Sequence, residues 1–145
     1  MKRKAFTFGL ALILGALILS GCGPGAADDL VGSEWVLLSL NGNSLIENTD
    51  ITLYFQEELL GGSAGCNGYG GGRDSGKYVA TDKGSLTIPQ LAVTVMFCSE
   101  PEGVMEQEEA YIRALHNAAT YQVIEGRLEL ADANGETTLV FAPKE

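Results

Sequence analysis

The chain has 145 residues, with 9 basic against 19 acidic side chains and a formal charge of −10. That length fits one domain. The acidic balance excludes nucleic acid as a partner, because binding to phosphate backbones is driven by Lys and Arg displacing counterions, and self-repulsion favours a monomer.

The N-terminus reads as an address. Lys2-Arg3-Lys4 precede an apolar run from Phe6 to Leu19, the pattern of a secretory signal peptide over residues 1–21. The run is about 14 residues, short of the about 20 that a membrane-spanning helix needs. Leu19-Ser20-Gly21-Cys22 resembles the bacterial lipoprotein cleavage box, in which the Cys becomes the first residue and carries acyl chains. The alternative is an ordinary secreted chain with an incidental Cys22. Residues 22–29 would then be the lipidated end and a flexible tether (Gly-Pro-Gly-Ala-Ala-Asp-Asp after the Cys), reaching at most about 25 Å. Two or more acyl chains hold stably where one holds only marginally. Gly23 stands where an Asp would signal inner-membrane retention, which favours the outer membrane in a Gram-negative host. No acidic residue precedes Asp28, so beyond residue 21 the chain carries 6 basic and 19 acidic side chains, a net of −13.

The domain expected over 30–142 begins with a strand at 33–40, ended by the Asn41-Gly42 turn. A second strand is expected at 51–55 and its hairpin partner at 59–65, across a Glu57-Glu58 turn. Between Gly61 and Gly76, eight of sixteen positions are Gly, which argues for bulges and tight turns over regular strand interior. Gly61-Gly62-Ser63-Ala64-Gly65 spells the G-x-S-x-G nucleophile elbow, but Cys66-Asn67-Gly68-Tyr69-Gly70 cannot start the helix that this motif requires. The segment from Gly71 to Tyr78 nearly reproduces a phosphate-binding loop, yet Tyr78 replaces the Ser or Thr that holds magnesium. Residues 78–80 and 85–88 flank an Asp82-Lys83-Gly84 turn, and residues 91–97 form a continuous apolar run with β-branched members.

Then the period changes. Ser99-Glu100-Pro101-Glu102 has the form of a capping box, and it predicts a helix over 100–117. Val104, Met105, Tyr111, Ile112 and Leu115 share one face, with a Glu109–Arg113 pair opposite. Glu108 falls within the apolar stripe. A buried carboxylate without a partner costs several kcal/mol, so it requires either backbone donors from the Gly-rich segment or a hydroxyl such as Thr94. The competing reading is an acid that contacts a ligand. Three strands follow at 120–124, 127–130 and 137–141, separated by Gly126 and by Asn134-Gly135, the latter expected as a type I′ turn.

With Cys22 lipidated, Cys66 and Cys98 remain. An even remainder in an exported chain suggests one disulfide; two buried free thiols are the alternative. A zinc site is poorly supported, since His116 is the only His and no C-x-x-C occurs. No metal or other cofactor is expected, and no catalytic constellation forms around Ser63 or His116.

Taken together, Leu30-Val31-Gly32-Ser33-x-Trp35, Gly65-Cys66-Asn67-x-Tyr69, Leu91-Ala92-x-Thr94-x-Met96-x-Cys98 and Met105-Glu106-x-Glu108-x-x-Tyr111 resemble the META domain, the HslJ-like family of bacterial envelope proteins. The resemblance runs from about Leu30 to Phe141. It implies a mainly β (α+β) fold, with a small curved antiparallel sheet or partial barrel packed on one helix, similar to lipoprotein pilots of secretins. It also implies association with stress response and antibiotic tolerance without an established catalytic activity, and it agrees with Cys66 and Cys98 as bridge partners. Val95 occupies a place that is often polar or basic in relatives. The functional expectation is therefore a membrane-anchored envelope domain that binds or scaffolds an unidentified protein partner. Carriage of an apolar ligand under the helix is the alternative, and an extracytoplasmic hydrolase the least supported. The candidate polar site is Glu108, Asn67 and Thr94.

Overall fold

The computed structural model describes residues 30–57, 59–71 and 77–145. The expected signal peptide, Cys22, the expected tether, and residues 72–76 of the near phosphate-loop motif lie outside them.

Strand β1 (Glu34–Leu40) turns at Asn41-Gly42, both with positive φ, into the short β2 (Asn43–Ser44). β3 (Thr52–Gln56), β4 (Leu59–Ser63) and β5 (Gly68–Gly70) follow, then β6 (Val79–Ala80), β7 (Leu86–Thr87) and β8 (Ala92–Val93). Helix α1 (Val104–Asn117) precedes a final meander of β9 (Ala118–Ile124), β10 (Arg127–Asp132) and β11 (Thr137–Pro143). The main sheet is antiparallel in the order β8-β5-β4-β3-β1-β11-β10-β9, with β2 also on β1. Its two ends do not pair with each other, so it is not a closed barrel. The β6–β7 hairpin forms a separate sheet, and isolated bridges beside it join Lys77 to Leu59 of β4 and Ser85 to Thr120 of β9.

Alternation puts Leu53 and Phe55, Leu128 and Leu130, and Leu139 and Phe141 on the inner face, all fully buried. Each contributes about 1.5–3 kcal/mol by leaving water. A bulge between Leu37 and Ser39 lets Leu37 and Leu40 both face inward, three residues apart, which strict alternation forbids. Helix α1 packs its Tyr111 and Leu115, each 0% exposed, into this core against β1, β10 and β11.

Several expectations are corrected. The helix starts at Val104 and not at residue 100. Its N-cap is Gly103 at φ 84°, with no side-chain cap, so Ser99 and Glu102 do not form a capping box. The left-handed backbone of Gly103 cannot be part of the helix, and Pro101 disfavours helical geometry at Glu100; the Glu100–Pro101 bond is cis. The buried stripe is Val104, Gln107, Glu108, Tyr111, Ala114 and Leu115, rotated so that Met105 and Ile112 are only half-buried. The strand expected at 59–65 is β4, and the Gly-rich segment holds a further regular strand, β5, which pairs Gly70 with Gly61 and Tyr69 with Gly62. The reason for glycine is close approach: a Cβ on Gly62 would lie 1.9 Å from the Thr52 carbonyl oxygen.

The last turn is also not type I′. Gly135 takes positive φ but Asn134 does not. The Asp132 side chain accepts from the Asn134 and Glu136 N–H groups at 2.8 and 3.0 Å, building the turn-plus-αL-Gly pattern of a longer hairpin. These hydrogen bonds, the one from Glu136 foremost, hold the Asp132 carboxyl below its ordinary range. Finally, only two residues of the apolar run at 91–97 are strand, and Val95, Met96 and Phe97 are 98%, 56% and 83% exposed.

Candidate functional site

Glu108 enters the site from the inner face of α1, 6% exposed. One carboxylate oxygen (Oε2) accepts the backbone N–H groups of Cys66 and Asn67 at 3.2 and 2.6 Å. The other (Oε1) accepts the Asn67 side-chain amide at 2.7 Å. The donors thus come from the Gly-rich segment, the first of the two sources expected, and the Thr94 hydroxyl goes elsewhere.

It goes to Asn67, which is 2% exposed. Its Oδ1 accepts from Thr94 Oγ1 at 2.9 Å and from the Met96 N–H at 2.7 Å. Its Nδ2 donates to Glu108 and, at 3.1 Å, to the Met96 carbonyl. Both donors and both acceptor sites of the amide are thus engaged. The side chain pairs with the Met96 main chain as a neighbouring strand's peptide group would. It extends the β5–β8 ladder, whose last backbone bond is Thr94 N–H to Gly68 O at 3.0 Å. Cys66 and Cys98 are joined by a disulfide, with Cα atoms 6.0 Å apart. Residues 94–98 are therefore braced at one end by Asn67 and at the other by sulfur.

Under this layer, Tyr69 Oη donates to the Thr52 carbonyl at 2.7 Å and lies 2.6 Å from Tyr111 Oη. Since the Tyr69 proton goes to Thr52, Tyr111 is the donor between the two hydroxyls. Burial foremost, then the Tyr111 charge, raises Tyr69 well above the usual phenol range. Burial also raises Tyr111, with the hydrogen bond it shares with Tyr69 opposing it.

On its outer flank, α1 leaves an open groove of about 660 Å³ against residues 90–93. Leu91, Val93, Met105 and Ile112 supply its apolar lining, while Glu106, Glu109, Arg113 and His116 stand at its edge. The space is beside the helix and not beneath it. Beneath the helix, among the described residues, Tyr111, Leu115 and Phe55 are fully buried in the core.

The structure thus brings Glu108, Asn67 and Thr94 into one network. It does not bring Ser63 and His116 together. Ser63 ends β4 with its hydroxyl accepting from the Gly65 N–H at 3.3 Å, and His116 is exposed at the groove. Among the described residues no group of three or more His, Cys, Asp or Glu could hold a metal ion, and no helix is long and apolar enough to cross a membrane.

Three features escaped the sequence reading. Gln107 is buried and ties the 46–49 turn to the helix, accepting from the Ile46 N–H at 2.7 Å and donating to Thr49 Oγ1 at 2.9 Å. Its place three residues after Val104 and four before Tyr111 was the available signal. The Tyr69–Tyr111 pair and the exposure of 95–97 carried no local signal.

The META domain profile matches residues 28–145. The chain belongs to the META domain family. The fold of this META domain is shared with a protein from Burkholderia xenovorans solved by NMR, at 24% identity and a TM-score of 0.66, over 94% of this chain and 99% of that one. A second NMR structure aligns at 26% identity and a TM-score of 0.60, over 79% of this chain and 92% of the other. The crystal structure of a DUF4847 family protein from Bacteroides vulgatus aligns at 18% identity and a TM-score of 0.53, over 79% and 94%. No curated protein matches the chain.

Proposed function

We propose that this META domain protein is anchored by acyl chains on Cys22 to the extracytoplasmic face of a bacterial membrane, the outer one in a Gram-negative host. There it acts by binding or scaffolding and performs no chemistry. The observation that carries the binding part is the state of its strongest polar site. Both oxygens of Glu108 and all four hydrogen-bonding positions of the Asn67 amide are taken by the protein itself. The network holds an apolar segment, Val95–Phe97, out in solvent, and shape is its product. The anchor rests on the basic, apolar and Leu-Ser-Gly-Cys succession that ends at Cys22. The envelope setting, and a link to stress or antibiotic tolerance, rest on the family resemblance.

Expressed in a bacterial host with labelled palmitate, the chain takes up label and partitions into the detergent phase. Cys22→Ser abolishes both, whereas partition that survives the substitution overturns the anchor. A second reading, carriage of an apolar small ligand, is favoured by the aliphatic lining of the groove, whose volume falls within the about 300–1,000 Å³ of small-molecule sites. A soluble fatty acid displaced from the groove by Ile112→Trp would support it.

A further inference from the structure

β8 is the last strand at one end of the sheet. Alternate residues of a strand direct their main-chain groups to opposite edges. Thr94 N–H bonds to Gly68 O and Met96 N–H to Asn67 Oδ1, so both face β5. The N–H and C=O groups of Val93 and Val95 therefore face away from the sheet. Natural sheets blunt such edges with Lys, Pro, bulges or a covering element. Here the edge residue Val95 is apolar and 98% exposed, and the Asn67 amide and the Cys66–Cys98 disulfide hold the segment extended. Beside the edge lies the groove, with Leu91 and Val93 on one wall and Met105 and Ile112 on the other.

We infer that this edge takes an extended segment of a partner protein, with alternating apolar and basic residues, as an added strand. The inference rests on the binding reading above and names the partner's chemistry. The added strand would bond its main chain to Val93 and Val95 and set its apolar side chains into the groove. Its Lys or Arg side chains, which alternate onto the opposite face, would meet the net negative charge of the chain. Charge selects this occupant. The chain carries −10 overall, and Glu100, Glu102, Glu106 and Glu109 are all exposed on and just before α1. A second copy would bring like charge against like, whereas a basic segment meets complementary charge.

The test uses the full chain in phosphatidylcholine nanodiscs, with nitrogen-15 amide spectra. It is titrated with a synthetic peptide of about seven residues, valine alternating with lysine, the length that spans 91–97. The expected result is saturable shifts at Val93, Val95 and Phe97, with hydrogen exchange at Val93 and Val95 slowed about tenfold or more. Val95→Pro removes an N–H that no other described residue uses, and is expected to weaken binding about tenfold or more. Val95→Ala keeps the N–H and stays within about threefold. A valine–glutamate peptide does not bind.

Equal affinity of the Val95→Pro variant overturns the inference, as do shifts confined to another face or concentration-dependent pairing of two chains through 93–97. So does broadening of Val95–Phe97 by a spin label carried on the lipid, which would make the strip a bilayer contact. Absence of peptide binding also overturns it but leaves the anchored binding reading standing, because palmitate labelling and partition of Cys22→Ser decide that separately.

Discussion

At the scale of single residues, Glu108 shows how a buried charge becomes architecture. Three N–H groups converge on its carboxylate, and bonds of this charge-assisted kind are each worth about 1.5–3 kcal/mol. Gln has nearly the same shape but would aim an amide nitrogen at Asn67 Nδ2. Asn67 cannot turn over in response, because its Oδ1 is held by the Met96 N–H and the Thr94 hydroxyl. Glu108→Gln should therefore lower unfolding stability by about 1–3 kcal/mol, while Glu109→Gln, one position on and exposed, stays within about 0.5 kcal/mol; urea titration of both variants checks the contrast. The two buried tyrosines set the alkaline limit. Their folded-state affinity for the proton is raised, so the native state keeps protons that the unfolded chain releases near about pH 10. That contribution is complete below about pH 10 and is lost as pH rises towards the folded-state values. Thermal unfolding between about pH 8 and about pH 11 should show a decline that is shallower in Tyr111→Phe, which has one buried ionisation fewer.

At the scale of elements, most strands were legible because one face of each is buried. The two-residue alternation of 51–55 and 137–141 and the Gly126 and Gly84 turns appear close to where the sequence puts them. Several of the misreadings share one cause: local rules were overruled by contacts distant in sequence. The capping signal at 99–102 is real chemistry, but the disulfide at Cys98 and the left-handed Gly103 hold that stretch as a separate turn. The apolar run at 91–97 should be buried by composition, yet it is held at the surface by Asn67, about 30 residues earlier in the chain. Glu108 could be recognised as needing a partner, since a carboxylate in an apolar stripe demands one; that Asn67 would serve with its side chain as well as its backbone could not. A strand was expected at 59–65, yet the glycine density of 61–76 argued for bulges and tight turns, because the sequence does not show what the glycines face. Gly62 lies against the β3 backbone, so Gly62→Ala should destabilise by about 3 kcal/mol, visible as a lower urea midpoint at unchanged slope, whereas Gly126→Ala, strained only by its positive φ with open space around it, should cost about 1 kcal/mol.

At the scale of the whole molecule, the Cys66–Cys98 link joins the Gly-rich half of the sheet to the approach to α1 across 32 residues of sequence. Replacing both cysteines by Ala should lower stability by roughly 3–4 kcal/mol through restored freedom of the unfolded chain, measured by urea unfolding, and should speed amide exchange most at Thr94 and Met96. The order of strands has a further consequence. β1 lies between β3 and β11, with Trp35 opposite Pro143 and Leu40 opposite Leu139. The first strand made is thus sealed on one side by the last. A polypeptide emerging from its N-terminus onward keeps that flank of β1 unzipped until residues 137–143 have emerged as well, and contacts so far apart along the chain form slowly. The tail of this small domain is thus its clasp, and clipping it would leave the nascent sheet without its closing stitch.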